Sequence, residues 1–458
     1  MRRRGDEAER DGRPTRVASL RTAAAAAVVA GLALVAALSG CATVEGPAGP
    51  RFVTPPLIRF SSVLWPVPLQ LVGAQPGTRL RITASLTSAR GTWTSGATYD
   101  VGGDGTIDFA HDRPQLAPFT QPDSAGLFWS LRGPSLGPVE LARQWMRDTS
   151  PVTLTAADGD RVVARRTFRL QGLGAAARSD TVYTHDLAPD GVGSQPPPHE
   201  THEDEPIGTF WSAASIERPT GPAVLMFDDP SPGASSAFTA PVLSQFGASV
   251  FVIPVGSPDG VHVSTVIDSG TVSAVLEWMH HRVGVDPRHI FVYGTGASEQ
   301  LAVWAATTFP KQLHGLFAGG GASSLLCLAG SSASPVFAGS VGLPCEREPG
   351  PAVAPPSLQE AAGPVVLICG RDDAVYPRAC DDLQALARTR TLRAGDQLLP
   401  EARAAHAVAV PPGLPIALPI DGGSSGAGAT GVDAQATQGA RIAFWNAVGQ
   451  QLLRAVLS

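Results

Sequence analysis

The chain has 458 residues, a formal net charge of −6, 43% hydrophobic residues and five cysteines. That length holds two domains with buried cores. The acidic balance leaves no basic footprint and excludes nucleic acid as the expected partner.

Arg2, Arg3, Arg4, Arg10, Arg13, Arg16 and Arg21 precede an apolar run from Ala23 to Leu38, followed by Ser39-Gly40-Cys41. As a helix that run would span ~24 Å, short of the ~30 Å of a bilayer core. Small residues before a cysteine instead read as a lipoprotein signal over residues 1–41. Cys41 is then lipidated and becomes the mature N-terminus. Asp6, Glu7, Glu9 and Asp11 are unusual in such a basic leader. The expected location is the cell membrane, on its extracytoplasmic face. Four cysteines remain beyond Cys41, and an oxidising compartment permits two disulfides in three possible pairings. The local pairing, Cys327–Cys345 and Cys369–Cys380, is expected here, against the alternative of four buried thiols. Neither spacing has the form of a zinc site.

Residues 52–170 read as all-β. Leu69–Val72, Thr78–Ala84, Gly91–Ser95, Thr106–Phe109 and Arg161–Arg165 are short runs of strand formers, and Gln75-Pro76-Gly77 and Gly102-Gly103-Asp104-Gly105 supply turns. Strands at this spacing predict an immunoglobulin-like sandwich. Residues 171–206 read as a linker, with Gln195-Pro196-Pro197-Pro198 and the charged run His199–Glu205 as solvated connector rather than a metal site.

Residues 207–458 alternate strands with helices. Strands are predicted at Ala223–Phe227, Ala248–Ile253, Ile290–Tyr293, Leu313–Ala318 and Pro364–Cys369. Helices are predicted at Ala240–Phe246, at Thr271–His281 with Val272, Val275, Leu276 and Met279 on one face, and at Arg441–Val456. The stretch Gly422–Gly439 reads as a flexible loop. Fully apolar strands between helices predict a mostly parallel sheet covered on both faces.

Within this half, Gly294-Thr295-Gly296-Ala297-Ser298 lies between the Ile290–Tyr293 strand and a helical stretch, Glu299–Ala306. Strand, sharp turn and helix are the setting of the nucleophile elbow of α/β-hydrolases, Gly-x-Ser-x-Gly. The attacking residue would stand at Gly296, which has no side chain. The remaining triad members follow in the order acid, then His. Asp373, just past the Pro364–Cys369 strand, is placed as the acid, and His406 as the general base that it orients.

These residues carry a resemblance over nearly the whole chain beyond the leader. Trp93-Thr94-Ser95, Asp104–Asp108 and, most specifically, Asp123-Ser124-Ala125-Gly126-Leu127-Phe128-Trp129-Ser130 resemble the acyl-CoA thioester hydrolase / bile acid-CoA:amino acid N-acyltransferase family. So do Gly370–Pro377 and His406 with its downstream Pro411-Pro412. The resemblance implies two domains, a β-sandwich followed by an α/β-hydrolase domain, with Asp373 as acid and His406 as base.

The departures are chemical. The family's Ser or Cys nucleophile maps onto Gly296, and the Gly closing the elbow maps onto Ser298. The loop that helps form the oxyanion hole reads Asp228-Asp229-Pro230-Ser231-Pro232-Gly233. Two carboxylates oppose a developing oxyanion, and prolines remove N–H donors. Ser298 is expected on the far side of the first helical turn and Thr295 to point away from His406, so neither replaces the nucleophile. Glycine also adopts the strained elbow backbone without penalty.

Three readings follow. The first is a catalytically impaired lipoprotein that binds an acyl or other apolar ligand, or a protein partner. The second is a thioester or ester hydrolase in which His406 and Asp373 activate water directly. The third is a structural envelope protein. No cofactor or metal is expected. Acyl-CoA is cytoplasmic, so an extracytoplasmic relative needs another substrate or none.

Overall fold

The computed structural model describes residues 49–54, 60–62, 68–171, 178–187, 205–213, 220–230, 233–348, 355–415 and 434–457. The leader, Cys41 and the charged run 199–204 lie outside the described residues. Pro50–Ser458 pack as one compact unit.

In the N-terminal part the strands are β1 (Arg51–Val53), β2 (Phe60–Ser62), β3 (Gln70–Val72), β4 (Arg79–Ser88), β5 (Gly91–Asp100), β6 (Ile107–Asp108), β7 (Thr149–Asp158) and β8 (Arg161–Gln171). One sheet has the order β2-β8-β7-β4-β5, and a smaller one β1-β3-β6. Residues alternate along β4, where Leu80, Ile82, Ala84 and Leu86 are buried between exposed or half-buried neighbours. That is the period-two pattern of a sheet with one wet face. The strand β7 escapes the sequence pattern because Pro151 interrupts it. Pro151 pairs only with Arg169 of β8, since β4 covers β7 only over Thr153–Ala157.

The run Asp123–Ser130 is a structural knot. The short helix α1 (Gly126–Trp129) is held by Asp123, whose carboxylate accepts from Trp129 Nε1 at 2.6 Å and from the Ala125 N–H at 2.8 Å. A Cβ at Gly126 would lie 2.4 Å from the Phe119 ring, so only glycine fits.

A strand, β9 (Ser179–Tyr183), lies inside the stretch expected to be linker. It pairs antiparallel with β10 (Pro206–Trp211), so part of the connector is a sheet edge. The sheet continues with β11 (Gly221–Asp228), β12 (Ser249–Pro254), β14 (Val285–Thr295), β15 (Gly315–Gly319), β18 (Val365–Gly370) and β19 (Gln397–Glu401). A separate small sheet holds β13 (Ile267–Asp268), β16 (Val336–Ala338) and β17 (Val341–Gly342).

The large sheet is eight-stranded, in the order β9-β10-β12-β11-β14-β15-β18-β19. From β12 to β19 every pairing is parallel, and β10 runs antiparallel to both neighbours. This is the mostly parallel sheet expected. Alternate residues of β11 enter different cores: Val224 and Met226 one, Ala223, Leu225 and Phe227 the other. An unbroken apolar strand is thus buried on both faces.

The helices that matter to the site are α3 (Ser236–Gln245), α4 (Ser269–His281), α5 (Glu299–Thr308), α6 (Ala379–Ala387) and α7 (Ala434–Leu457); α2 (Pro138–Ala142) lies in the N-terminal part. The last helix begins at Ala434, so its first turns take up the end of the stretch expected as loop. Both disulfides form as expected, Cys327–Cys345 and Cys369–Cys380. Among the described residues no helix is long and apolar enough to cross a membrane.

Candidate active site

The carboxyl ends of β11, β14, β18 and β19 converge, where open α/β sheets hold their ligands. β14 ends at Thr295, a single tight turn Gly296–Ser298 follows, and α5 begins at Glu299. This is the elbow expected from the sequence. Gly296 has φ +58°, a left-handed conformation that other residues adopt only with strain. Gly294 is equally constrained: a Cβ there would lie 2.4 Å from the Ser298 carbonyl oxygen.

Ser298 is fully buried. Its hydroxyl donates to the Thr295 carbonyl at 2.9 Å and accepts the Thr295 N–H at 3.0 Å. It staples the turn and is no nucleophile. Thr295 is among the residues that line the same cavity as His406.

The acid and base meet as the sequence implies. His406 Nδ1 and Asp373 Oδ2 are 2.8 Å apart, and both residues are buried. The other oxygen of Asp373 accepts the N–H groups of Val375 and Tyr376 at 2.9 and 2.8 Å. Asp373 therefore stays oriented, holds the proton of His406 on Nδ1, and leaves Nε2 as the base. The Cys369–Cys380 disulfide ties the end of β18 to α6 across the acid loop. A Cβ at Gly370 would meet the Ala404 and Ala405 carbonyl oxygens at 2.3 and 2.4 Å, so this glycine lets the acid loop and the His loop touch.

The two carboxylates after β11 separate. The sequence reading set both against an oxyanion, but Asp228 turns away and accepts from Ser236 N at 2.6 Å and Ser236 Oγ at 2.9 Å, at the start of α3. Carboxylates favour helix N-termini because free N–H groups and the dipole meet there. Burial still raises the Asp228 carboxyl to about 6. Asp229 alone enters the site, and it is buried. A Cβ built on Gly296 would lie 2.2 Å from Asp229 Oδ2 and 3.4 Å from His406 Nε2. The Asp229 carboxylate thus fills the space where a nucleophile's side chain would begin, beside His406 Nε2. Asp229, Thr295, Gly296, His406 and Val410 line a cavity of about 10 Å³. That is roughly the space of one water, not of an acyl chain.

Sequence reasoning missed the residues that hold the His406 loop, all on α7. Ala405 N–H donates to Thr437 Oγ1 at 3.0 Å, and Gln438 donates to the Pro412 carbonyl at 2.6 Å. Arg441 donates to the Ala407 and Leu414 carbonyls at 2.9 and 3.1 Å, and Trp445 Nε1 to the Ala409 carbonyl at 2.9 Å. The signal was a lone Arg441 amid apolar helix residues. Glu299 was missed as well. It is fully buried, accepts from Gly321 N at 2.7 Å, and burial raises its carboxyl to about 8. Among the described residues no three His, Cys, Asp or Glu side chains converge as a metal site requires.

Residues 65–170 match the family model described as the acyl-CoA thioester hydrolase/BAAT N-terminal region. No curated protein matches the sequence. Among solved structures, a dienelactone hydrolase-like promiscuous phosphotriesterase from metagenomic libraries is 16% identical, with 60% of this chain and 99% of that one covered and a TM-score of 0.35. Carboxyl esterase 2 from the mycorrhizal fungus Tuber melanosporum is 12% identical, with coverage of 61% and 88% and a TM-score of 0.36. An α/β hydrolase from a Medee basin deep-sea metagenome library is 12% identical, with coverage of 50% and 84% and a TM-score of 0.31. Over residues 65–170 the chain is similar to the N-terminal region of the acyl-CoA thioester hydrolase/BAAT family, the family that its sequence resembles.

Proposed function

We propose that this chain is a hydrolase-derived lipoprotein of the cell envelope, anchored through Cys41, in which the acyl-enzyme chemistry of a Ser or Cys elbow has been lost. The N-terminal sheets serve it as an immunoglobulin-like sandwich. One observation carries the reading: position 296 offers no nucleophile, and the Asp229 carboxylate occupies the space one would need. An anion at that place also opposes the oxyanion that acyl transfer must build. The small cavity beside Gly296 turns the inherited binding role away from an acyl chain in this pocket and toward a protein partner or a small polar ligand. The second reading, direct activation of water, is favoured by the intact Asp373–His406 pair. The test is labelling of the purified protein by a fluorophosphonate together with turnover of model thioesters. Neither is expected above background. Stoichiometric fluorophosphonate labelling would refute the loss, and thioester turnover that disappears with His406→Ala but comes without labelling would favour the second reading.

A further inference from the structure

The wet face of the sheet β2-β8-β7-β4-β5 is basic and lined with hydroxyls. The chain as a whole is acidic, at −6, yet residues 51–170 hold thirteen arginines against nine carboxylates. Three of those arginines, Arg81 on β4 and Arg165 and Arg169 on β8, are exposed on this face. The pairing register fixes their side, because residues directly opposite one another on neighbouring strands share a face. Arg165 stands opposite Thr155, and Thr155 opposite Thr83; the next row is Thr167, Thr153 and Ser85. Arg81 lies opposite Ala157, and Arg169 opposite Pro151. The residues that alternate with them, Ile82, Ala84, Val152, Leu154 and Ala156, are buried in the core. The carboxylates at the rim are engaged elsewhere: Asp100 accepts from Arg79 at 2.7 Å, Asp158 lies 3.3 Å from Arg161, and Asp160 stands at the tip of the β7–β8 turn. Among the described residues no carboxylate pairs with Arg81, Arg165 or Arg169.

The two rows offer hydroxyls and a guanidinium. They hold no aromatic ring to stack on a sugar and no large apolar side chain to anchor in a protein pocket. Such a surface suits a plane of phosphate groups, which arginine grips with its forked N–H donors and to which hydroxyls donate. Five strands about 4.8 Å apart make the face about 20 Å across, wide enough for several head groups at once. The chain's own path supplies the plane. Arg166, on the other face of β8, donates to the Phe52 carbonyl at 2.8 Å and to Thr54 Oγ1 at 3.1 Å. The entering chain is thereby held beside β8, the strand that carries Arg165 and Arg169. Ten residues separate Cys41 from Arg51. A stretch of that length reaches at most about 35 Å. From this juxtaposition we infer that the open face of the N-terminal sheet lies on the membrane, with Arg81, Arg165 and Arg169 on the phosphates of anionic lipid head groups. The inference rests on the reading of the chain as an envelope lipoprotein: Cys41 brings the face to the bilayer, and the face then fixes how the protein sits on it.

The test uses residues 50–458, which pack as one compact unit, so that no lipid anchor contributes. The protein is sedimented at low ionic strength with vesicles of equal parts phosphatidylglycerol and phosphatidylcholine, and with vesicles of phosphatidylcholine alone. It is expected to bind the first and not the second, and to come off as salt is added, because exposed charges are screened. Arg81→Gln, Arg165→Gln and Arg169→Gln together are expected to weaken binding about 100-fold, about fivefold for each arginine. A control removes the same charge elsewhere, at the exposed Arg347, Arg388 and Arg454, each to Gln, and is expected to bind as wild type does. All six positions are exposed, and circular dichroism checks that both triple variants fold. Failure of the wild type to bind the anionic vesicles would overturn the inference. So would equal binding to phosphatidylcholine, or an equal loss in the control. Binding to soluble polyphosphate without binding to vesicles would overturn it too, and would give the face to an anionic polymer. Fractionation of Cys41→Ala reports separately on the anchor, so each idea can fail alone.

Discussion

Restoring a serine at the elbow should fail unless Asp229 is removed with it. Gly296→Ser meets two penalties. The first is the left-handed backbone, φ +58°, which costs a residue with a Cβ about 1–2 kcal/mol. The second is overlap with Asp229 Oδ2, 2.2 Å from the new Cβ, a distance at which something must shift. Forcing extra atoms into a packed interior costs about 1–3 kcal/mol. The single variant should therefore lose about 2–5 kcal/mol, while Gly296→Ser with Asp229→Gly should lose only the backbone share. Denaturant titration followed by tryptophan fluorescence reads this as a double-mutant cycle with a coupling of about 1–3 kcal/mol. Fluorophosphonate labelling reads the chemistry. The double variant should label, because His406 and Asp373 are in place, and the single variant should label far less. Equal labelling of both variants, together with a single variant as stable as wild type, would show that Asp229 does not hold the nucleophile's space.

Three further outcomes are expected. Replacing Cys369 and Cys380 by Ser opens a link with a sequence separation of 11. It should cost about 3 kcal/mol in denaturant titrations, and reductant, which opens Cys327–Cys345 as well, should destabilise the wild type by more. Cys41→Ala should release the protein from membranes or block its processing; unchanged membrane association and unchanged precursor size would refute the anchor. Glu299→Gln should flatten the pH dependence of stability. The folded carboxyl is raised from 4.5 to about 8 by burial, so the stability it contributes is complete below about 4.5 and is lost as pH rises through about 8. The Gln variant should gain on wild type across that window, and equal pH slopes would count against a neutral buried Glu299.

Much of this was legible in the sequence, for identifiable reasons. The elbow could be read because its setting is local: a β-branched strand, a glycine turn and a helix, all within Ile290–Ala306. The acid and base could be placed because chain order and strand ends locate them. Both disulfides join the cysteines that lie nearest in sequence, the pairing that short spacing favours. What could not be read depends on where side chains turn in space. Asp228 and Asp229 are neighbours in sequence, yet one caps α3 and the other fills the elbow. The strand β7 was hidden by Pro151, whose missing N–H is tolerated where only β8 flanks it. The strand β9 was hidden in polar residues, Ser179-Asp180-Thr181, because only Val182 is buried on that edge.

The intact Asp373–His406 pair is weaker evidence for catalysis than it looks, because the surrounding structure would keep it in place without selection for chemistry. Asp373 is fixed by the Val375 and Tyr376 N–H groups in a loop tied off by a disulfide. His406 rides on a loop whose carbonyls accept hydrogen bonds from Gln438, Arg441 and Trp445, and buried carbonyls are costly to leave without donors. Arg441 is fully buried, and burial lowers its guanidinium to about 9. A buried cation is kept because its loss would leave the Leu414 carbonyl unpaired and the Ala407 carbonyl with only the Val410 N–H at 3.4 Å, a folding penalty that does not depend on catalysis. Retention of base and acid therefore fits both a silent site and a rebuilt one. The discriminating atoms are those that folding does not require: the absent side chain at 296 and the Asp229 carboxylate that stands in its space.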